Sequence, residues 1–244
     1  MEFSIKSGNP EKQRTACLII GITEPRRLTP AAKAIDDVSD KAISNLIRRG
    51  DITGKSGQAV LLYNVAGTLA DRVLLIGCGR ERDLDDRQYR SVIDAAVREL
   101  SQTGASEAVC YLTELNVKGR DLYWKVRQTV ETVEQALYEF TEFKSGKKRE
   151  RKPLRKLVLT APSRRELAVG DRAIQQSTAI TKGIKLTRDV ANRPANVCTP
   201  SHLASQAQAL GRSHKSLRVR VLDEPAMKKL GMNSLLSVSA GSEE

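Results

Sequence analysis

The chain has 244 residues, 40% of them hydrophobic and 29% charged, with a formal net charge of +12. That length suits one or two domains with a sizeable core, and the basic balance favours anionic partners such as nucleic acid without setting a fold. No apolar run approaches the roughly 20 residues that span a bilayer, and the N-terminus lacks a signal core, so the reading is cytoplasmic with no membrane partner.

In chain order, Phe3 to Lys6 and Ala16 to Ile20 read as strands, the second a continuous apolar run of the buried kind. Thr29-Pro30 opens a helix in which Ala31, Ile35, Val38, Ala42 and Leu46 keep helical spacing as far as Arg48, Arg49 and Gly50. Ala59 to Tyr63 and Arg72 to Ile76 are the next strands. The Gly77-Cys78-Gly79 that follows lacks a third glycine at Arg82, and no G-K-[ST] occurs in the chain, so a tight strand-to-helix turn is favoured over a phosphate cradle. A helix from Asp85 to Leu100 and a strand from Ala108 to Leu112 come next.

An amphipathic helix is predicted over Arg120 to Phe143, with Leu122, Val126, Val130, Val133, Leu137 and Phe140 on one stripe. Tyr123 and Trp124 at its start read as core or domain-seam packing, or, flanked by Lys125 and Arg127, as a base-stacking platform. Lys144 to Lys156 then holds eight basic residues against one acidic. Lys147, Lys148, Arg149, Arg151, Lys152, Arg155 and Lys156 are therefore candidate phosphate-binding residues, weighed against a solvated linker. They include no side chain that would read a base edge.

Leu157 to Thr160 returns as a strand. Ser163-x-x-Glu166 is a capping box opening a long helix toward Ala191. Pro194 biases Arg193 away from the helical region, Asn192 and Asn196 suit the turn, and Thr199-Pro200 starts a second helix through Leu210 with Gly211 as its stop. Leu217 to Leu222 alternates as a half-wet strand, Pro225 opens a short helix closed by Gly231, and Leu235 to Val238 starts one more strand. The strand and helix alternation up to Thr160 indicates an α/β sandwich around a mixed sheet.

Arg188-Asp189 with Asn192-x-Pro194-x-Asn196-x-x-x-Pro200-x-x-Leu203-Ala204 resembles the entry to the catalytic domain of bacterial leucyl aminopeptidases. The opening Met1 to Gly8, Leu74 to Gly79 and Tyr123 to Gln128 resemble that family's bacterial N-terminal domain. The resemblance implies a macro-like N-terminal domain over 1-162, a linker helix over 163-191, and the incomplete start of a second, catalytic α/β domain over 192-244. It implies a metal-dependent exopeptidase that removes N-terminal residues, leucine preferred, with two divalent metals, zinc or manganese, in the full-length protein. It also implies hexamers built largely through the catalytic domains.

A two-metal hydrolytic site needs several converging carboxylates. His202 and His214 are too far apart for a HExxH site, Asp36-Asp37 and Asp85-Asp86 are adjacent pairs pointing in different directions, and Ser201 beside His202 is adjacency without geometry. The family's metal ligands lie downstream of Glu244, so no catalytic or metal-binding residue is assigned and the chain alone is expected to be inactive. Peptides are its partners only if a catalytic half is supplied. The alternative reading is a DNA-binding or regulatory module that holds duplex DNA through its basic domain. Cys17, Cys78, Cys110 and Cys198 are widely spaced with no CxxC pair, which favours reduced thiols over a disulfide framework or zinc knuckle.

Overall fold

The computed structural model describes residues 1–145 and 154–242. The chain divides into two compact units, Met1–Gly183 and Ile184–Glu244. The first unit is built on apolar runs that pair into one sheet. Its elements are β1 (Glu2–Lys6), β2 (Leu18–Glu24), β3 (Arg27–Leu28), α1 (Pro30–Val38), α2 (Ala42–Arg49), β4 (Ala59–Tyr63), β5 (Arg72–Arg80), α3 (Asp86–Ser101), β6 (Glu107–Cys110), α4 (Leu122–Ala136) and β7 (Lys156–Thr160). The long helix α5 (Leu167–Ala191) follows, and the division between the units falls inside it.

The sheet runs in the order β1-β7-β6-β2-β5-β4, with β3 paired to β2. Neighbours from β1 to β5 are parallel, while β4 and β3 pair antiparallel with β5 and β2. The mixed α/β sandwich expected from the sequence is therefore present. Period-two alternation assigns side chains to its two faces. Leu18, Ile20 and Ile22 of β2, with Val73 and Leu75 of β5, pack under Ala32 and Ile35 of α1 and Ile43 of α2. Ile19, Leu74 and Ile76 pack on the opposite face under α3, α4 and the start of α5. Both faces of the central strands are covered, which explains why they read as unbroken apolar runs.

Sequence expectation and structure part company at several places in this unit. The helix expected over 29 to 49 is two helices, because Asp40 and Lys41 both take left-handed backbone conformations. Asp36, at 2% exposure, turns its carboxylate onto the first turn of α2, accepting from Ser44 N at 2.8 Å and Ser44 Oγ at 2.6 Å. The helix expected to reach Phe143 stops at Ala136, and Phe140 and Phe143 pair with each other at 5.8 Å. Finally, Ser163 Oγ donates to Glu166 Oε2 at 3.0 Å across a single 3₁₀ turn, so the two side chains bond each other and Ser163 makes no side-chain cap to the backbone.

Asp85 caps α3 by accepting from Gln88 N at 2.8 Å, and Asp86 pairs with Arg120 at 2.6 Å. Trp124 lies 5.7 Å from the buried Tyr89 ring and under the Arg120 guanidinium, while Arg172 covers the Tyr123 ring. These contacts give Tyr123 and Trp124 their packing role.

The second unit contains α6 (Pro200–Ser213), α7 (Glu224–Lys229) and α8 (Asn233–Ser239), preceded by the end of α5. As the sequence implies, α5 ends at Ala191 and Thr199 caps α6 by accepting from His202 N at 3.3 Å. Val197 N and Cys198 N both donate to Pro194 O at 2.9 Å, closing the turn between them. Gly211 lies within α6 and does not end it; the Val219 side chain packs against it. Neither strand expected here forms. Residues 217 to 222 are irregular, and 235 to 238 lie in α8. A strand needs a ladder partner, and the unit has none among its described residues.

Cys17, Cys78 and Cys110 are buried free thiols, and burial pushes each up to about 12. Since the thiolate is the reactive form, Cys198, only partly covered, is the expected site of alkylation in the native protein at about pH 8. Mass spectrometry after a short iodoacetamide pulse should find the label on Cys198, and on all four only after denaturation.

Glu114, in a 3₁₀ turn after β6, accepts from Ala31 N at the start of α1 at 3.2 Å. Burial holds its carboxyl above the usual value of 4.5, opposed by hydrogen bonds from Thr29 and Ala31. The folded state therefore binds this proton more tightly than the unfolded state does. The associated stability is full below pH 4.5 and is lost as pH rises through the folded value. A Glu114→Gln variant should flatten that part of the stability profile in urea titrations run across the weakly acidic range.

Candidate functional site: a basic cleft at the carboxyl ends of the central strands

The described residues enclose an open cleft of about 840 Å³ where β2 and β5 end. In open parallel sheets the crevice beyond the carboxyl ends of the strands is the usual ligand position. Four segments line it: the β2–β3 turn, the loop of residues 53–58 before β4, the end of β5 with the turn after it, and Asn116 in the loop before α4. Gly79 N donates to Gly54 O at 2.8 Å, Gly77 N to Gln58 O at 2.8 Å, and Arg26 N to Thr53 O at 3.2 Å. Gln58 Oε1 accepts from Thr53 N, Thr53 Oγ1 and Lys55 N at 3.0, 2.8 and 3.2 Å, which fixes the backbone that carries Lys55.

Two glycines make this packing possible. A Cβ at Gly54 would stand 2.5 Å from Thr23 O, and one at Gly77 only 2.0 Å from Lys55 O. The Gly77-Cys78-Gly79 run is therefore not a strand-to-helix turn: β5 continues through it to Arg80, and its glycines admit the neighbouring loop. That correction rests on close backbone approach, a second use of glycine besides tight turning.

Arg26, Arg27, Lys55, Arg80 and Arg82 line the cleft against two carboxylates, Glu24 and Glu81. Arg80 Nε lies 3.5 Å from Glu24 Oε2, and Arg82 faces Asp83 at 3.8 Å. Arg26, Arg27 and Lys55 make no ion pair among the described residues. Sequence reading missed this cluster because it looked for one dense run; the available signal was a pair of basic residues just past each of two predicted strands.

Of the predicted phosphate-binding residues, the two that are described, Arg155 and Lys156, do not line the cleft. Lys147, Lys148, Arg149, Arg151 and Lys152 fall outside the described residues. Arg155 and Lys156 stand at the entry to β7, where Glu2 N donates to Arg155 O at 2.9 Å and Lys156 Nζ pairs with Glu2 at 3.1 Å. The aspartate pairs serve the fold: Asp36 caps α2, and Asp37 pairs with Lys33 and Lys41. His202 Nε2 lies 2.6 Å from Arg193 Nη1. Among the described residues no group of three or more His, Cys, Asp or Glu side chains is placed to hold a metal ion, so they do not fit a two-metal centre.

Residues 19–147 match the N-terminal domain of the cytosol aminopeptidase family, and residues 185–244 match its catalytic domain. The chain belongs to the cytosol aminopeptidase family. The catalytic-domain match begins at residue 185, next to the start of the second compact unit at Ile184. Among cytosol aminopeptidases, the chain is 56% identical over 243 residues to a probable member from Aeromonas salmonicida and 55% identical to one from Idiomarina loihiensis. It is covered completely in both comparisons but spans about half the length of these curated relatives, 48% in each. A mutant tomato leucine aminopeptidase superposes with a TM-score of 0.81 at 23% identity, over 100% of this chain and 48% of that one. The bottromycin maturation enzyme BotP superposes with a TM-score of 0.72 at 22% identity, over 94% and 44%. At those identities the two structures establish the cytosol aminopeptidase fold alone. No helix among the described residues is long and apolar enough to cross a membrane.

Proposed function

We propose that the chain is the N-terminal half of a cytosolic leucyl aminopeptidase, an enzyme that releases N-terminal residues from peptides with leucine preferred, and that it is inactive without the catalytic half. The observation that carries this reading is the match of residues 185–244 to the family's catalytic domain, in a chain whose residues 19–147 match its N-terminal domain. In this reading residues 1-162 form the N-terminal domain, 163-191 the linker helix and 192-244 the first elements of the peptidase fold. Two divalent ions, zinc or manganese, would activate water and stabilise the developing charge. The carboxylates such ions require are not gathered among the described residues, so no catalytic step is assigned to them. Duplex DNA held by Lys147 to Lys156 is supported by charge alone, and the family match favours the hydrolase.

A chimera tests this directly. Replacing the matching 243 residues of the Aeromonas salmonicida relative with this chain should retain hydrolysis of leucine p-nitroanilide in manganese or zinc. The 244-residue chain alone should show none. A folded but inactive chimera, or turnover by the 244 residues alone, would contradict the assignment.

A further inference from the structure

We infer that the cleft at the ends of β2 and β5 is a binding site for an anion carrying two adjacent phosphoryl groups. Five basic side chains face two carboxylates there, and Arg26, Arg27 and Lys55 have no ion-pair partner among the described residues. Guanidinium groups match phosphate oxygens with paired N–H donors, while lysine supplies a compact point charge. The excess of cations exceeds what a single phosphate monoester would neutralise and suits a diphosphate.

The position is built, not merely charged. Hydrogen bonds among residues 23–27, 53–58 and 77–80 hold the cationic side chains' backbones in register, and Gly54 and Gly77 let those segments touch. Fixed backbones lower the ordering cost of binding. The opening at the carboxyl ends of parallel strands, and a volume of about 840 Å³, fit a ligand of nucleotide size or smaller. No aromatic side chain lines the cleft, so recognition falls on the phosphoryl groups and a base would add little. Inorganic pyrophosphate and a nucleoside diphosphate share this chemistry, and their relative affinities distinguish the two sources.

The test is calorimetric titration of the 244-residue chain with inorganic pyrophosphate, orthophosphate and ADP at low and moderate salt. Pyrophosphate should bind one to one and roughly tenfold or more tighter than orthophosphate. An Arg26→Gln/Arg27→Gln variant and a Lys55→Gln variant should each weaken it by roughly tenfold. The charge-matched control Arg87→Gln/Arg98→Gln, on α3, should stay within about twofold of the parent. Equal affinity for ADP and pyrophosphate would identify a diphosphate site, and tighter ADP a nucleotide site; both support the inference. Circular dichroism and the thermal transition establish that each variant is folded. No saturable pyrophosphate binding, or equal weakening in the control, would overturn the proposal. So would duplex DNA binding that the cleft variants abolish while pyrophosphate binds nowhere.

Discussion

Gly77→Ala is expected to be among the most damaging single-methyl additions in the chain. The new Cβ would stand 2.0 Å from Lys55 O and 3.1 Å from Gly54 C, both backbone atoms with no rotamer through which to escape. Relief requires the 53–58 loop to move off the sheet, breaking Gly77 N to Gln58 O and Gly57 N to Gly77 O. Overpacking of this kind costs about 3 kcal/mol, which in a unit of this size lowers Tm by roughly 6–12 °C. Gly57→Ala is the comparison. Its Cβ meets nothing within 4 Å, so only its left-handed backbone, at φ +80°, resists the change, at about 1 kcal/mol. Calorimetry on both variants separates collision from conformational strain. A Gly77→Ala protein melting within a degree or two of the parent would mean the loop does not rest on β5.

Asp36→Ala should cost about 2–3 kcal/mol, because it leaves the Ser44 amide at the start of α2 without its acceptor. Lys41 holds the N-cap position of α2 and offers no side-chain cap; the aspartate eight residues before Ser44 does that work. Asp36→Asn keeps an acceptor oxygen and should recover most of the loss. Urea denaturation should show a lowered midpoint for the alanine variant with an unchanged slope, the mark of altered stability without an altered unfolded state. Equal midpoints for alanine and asparagine would separate the capping bond from the effect.

The same residues show how far the sequence could be read. Buried strands announced themselves because Leu18 to Ile22 and Val73 to Ile76 need apolar side chains on both faces, and Thr29-Pro30 and Thr199-Pro200 marked helix starts that the structure retains. The break after Val38 was hidden, since apolar spacing continues across it through Ala42 and Leu46 and the capping group comes from the preceding helix. Leu235 to Val238 was ambiguous in principle: a short apolar run has no period to distinguish helix from strand, and no neighbouring strand was there to decide. The cleft was illegible for a different reason. Its cations come from three segments that only the sheet order brings together, and the glycines that admit the Lys55 loop look in sequence like turn formers. Family membership was legible throughout, because it is carried by short local motifs.

Among the described residues, the first strand pairs with the last strand of the unit and with no other. β1 pairs with β7, from Glu2 opposite Lys156 to Lys6 opposite Thr160, and occupies the sheet edge. On the ribosome, residues 2 to 6 emerge ahead of β7 and wait for a partner some 150 residues behind them. At typical translation rates that is on the order of 10 s, during which Phe3 and Ile5 lack the strand beside which they pack. The central strands β2, β5 and β4 pair with one another well before this, so the middle of the sheet closes ahead of its β1 edge.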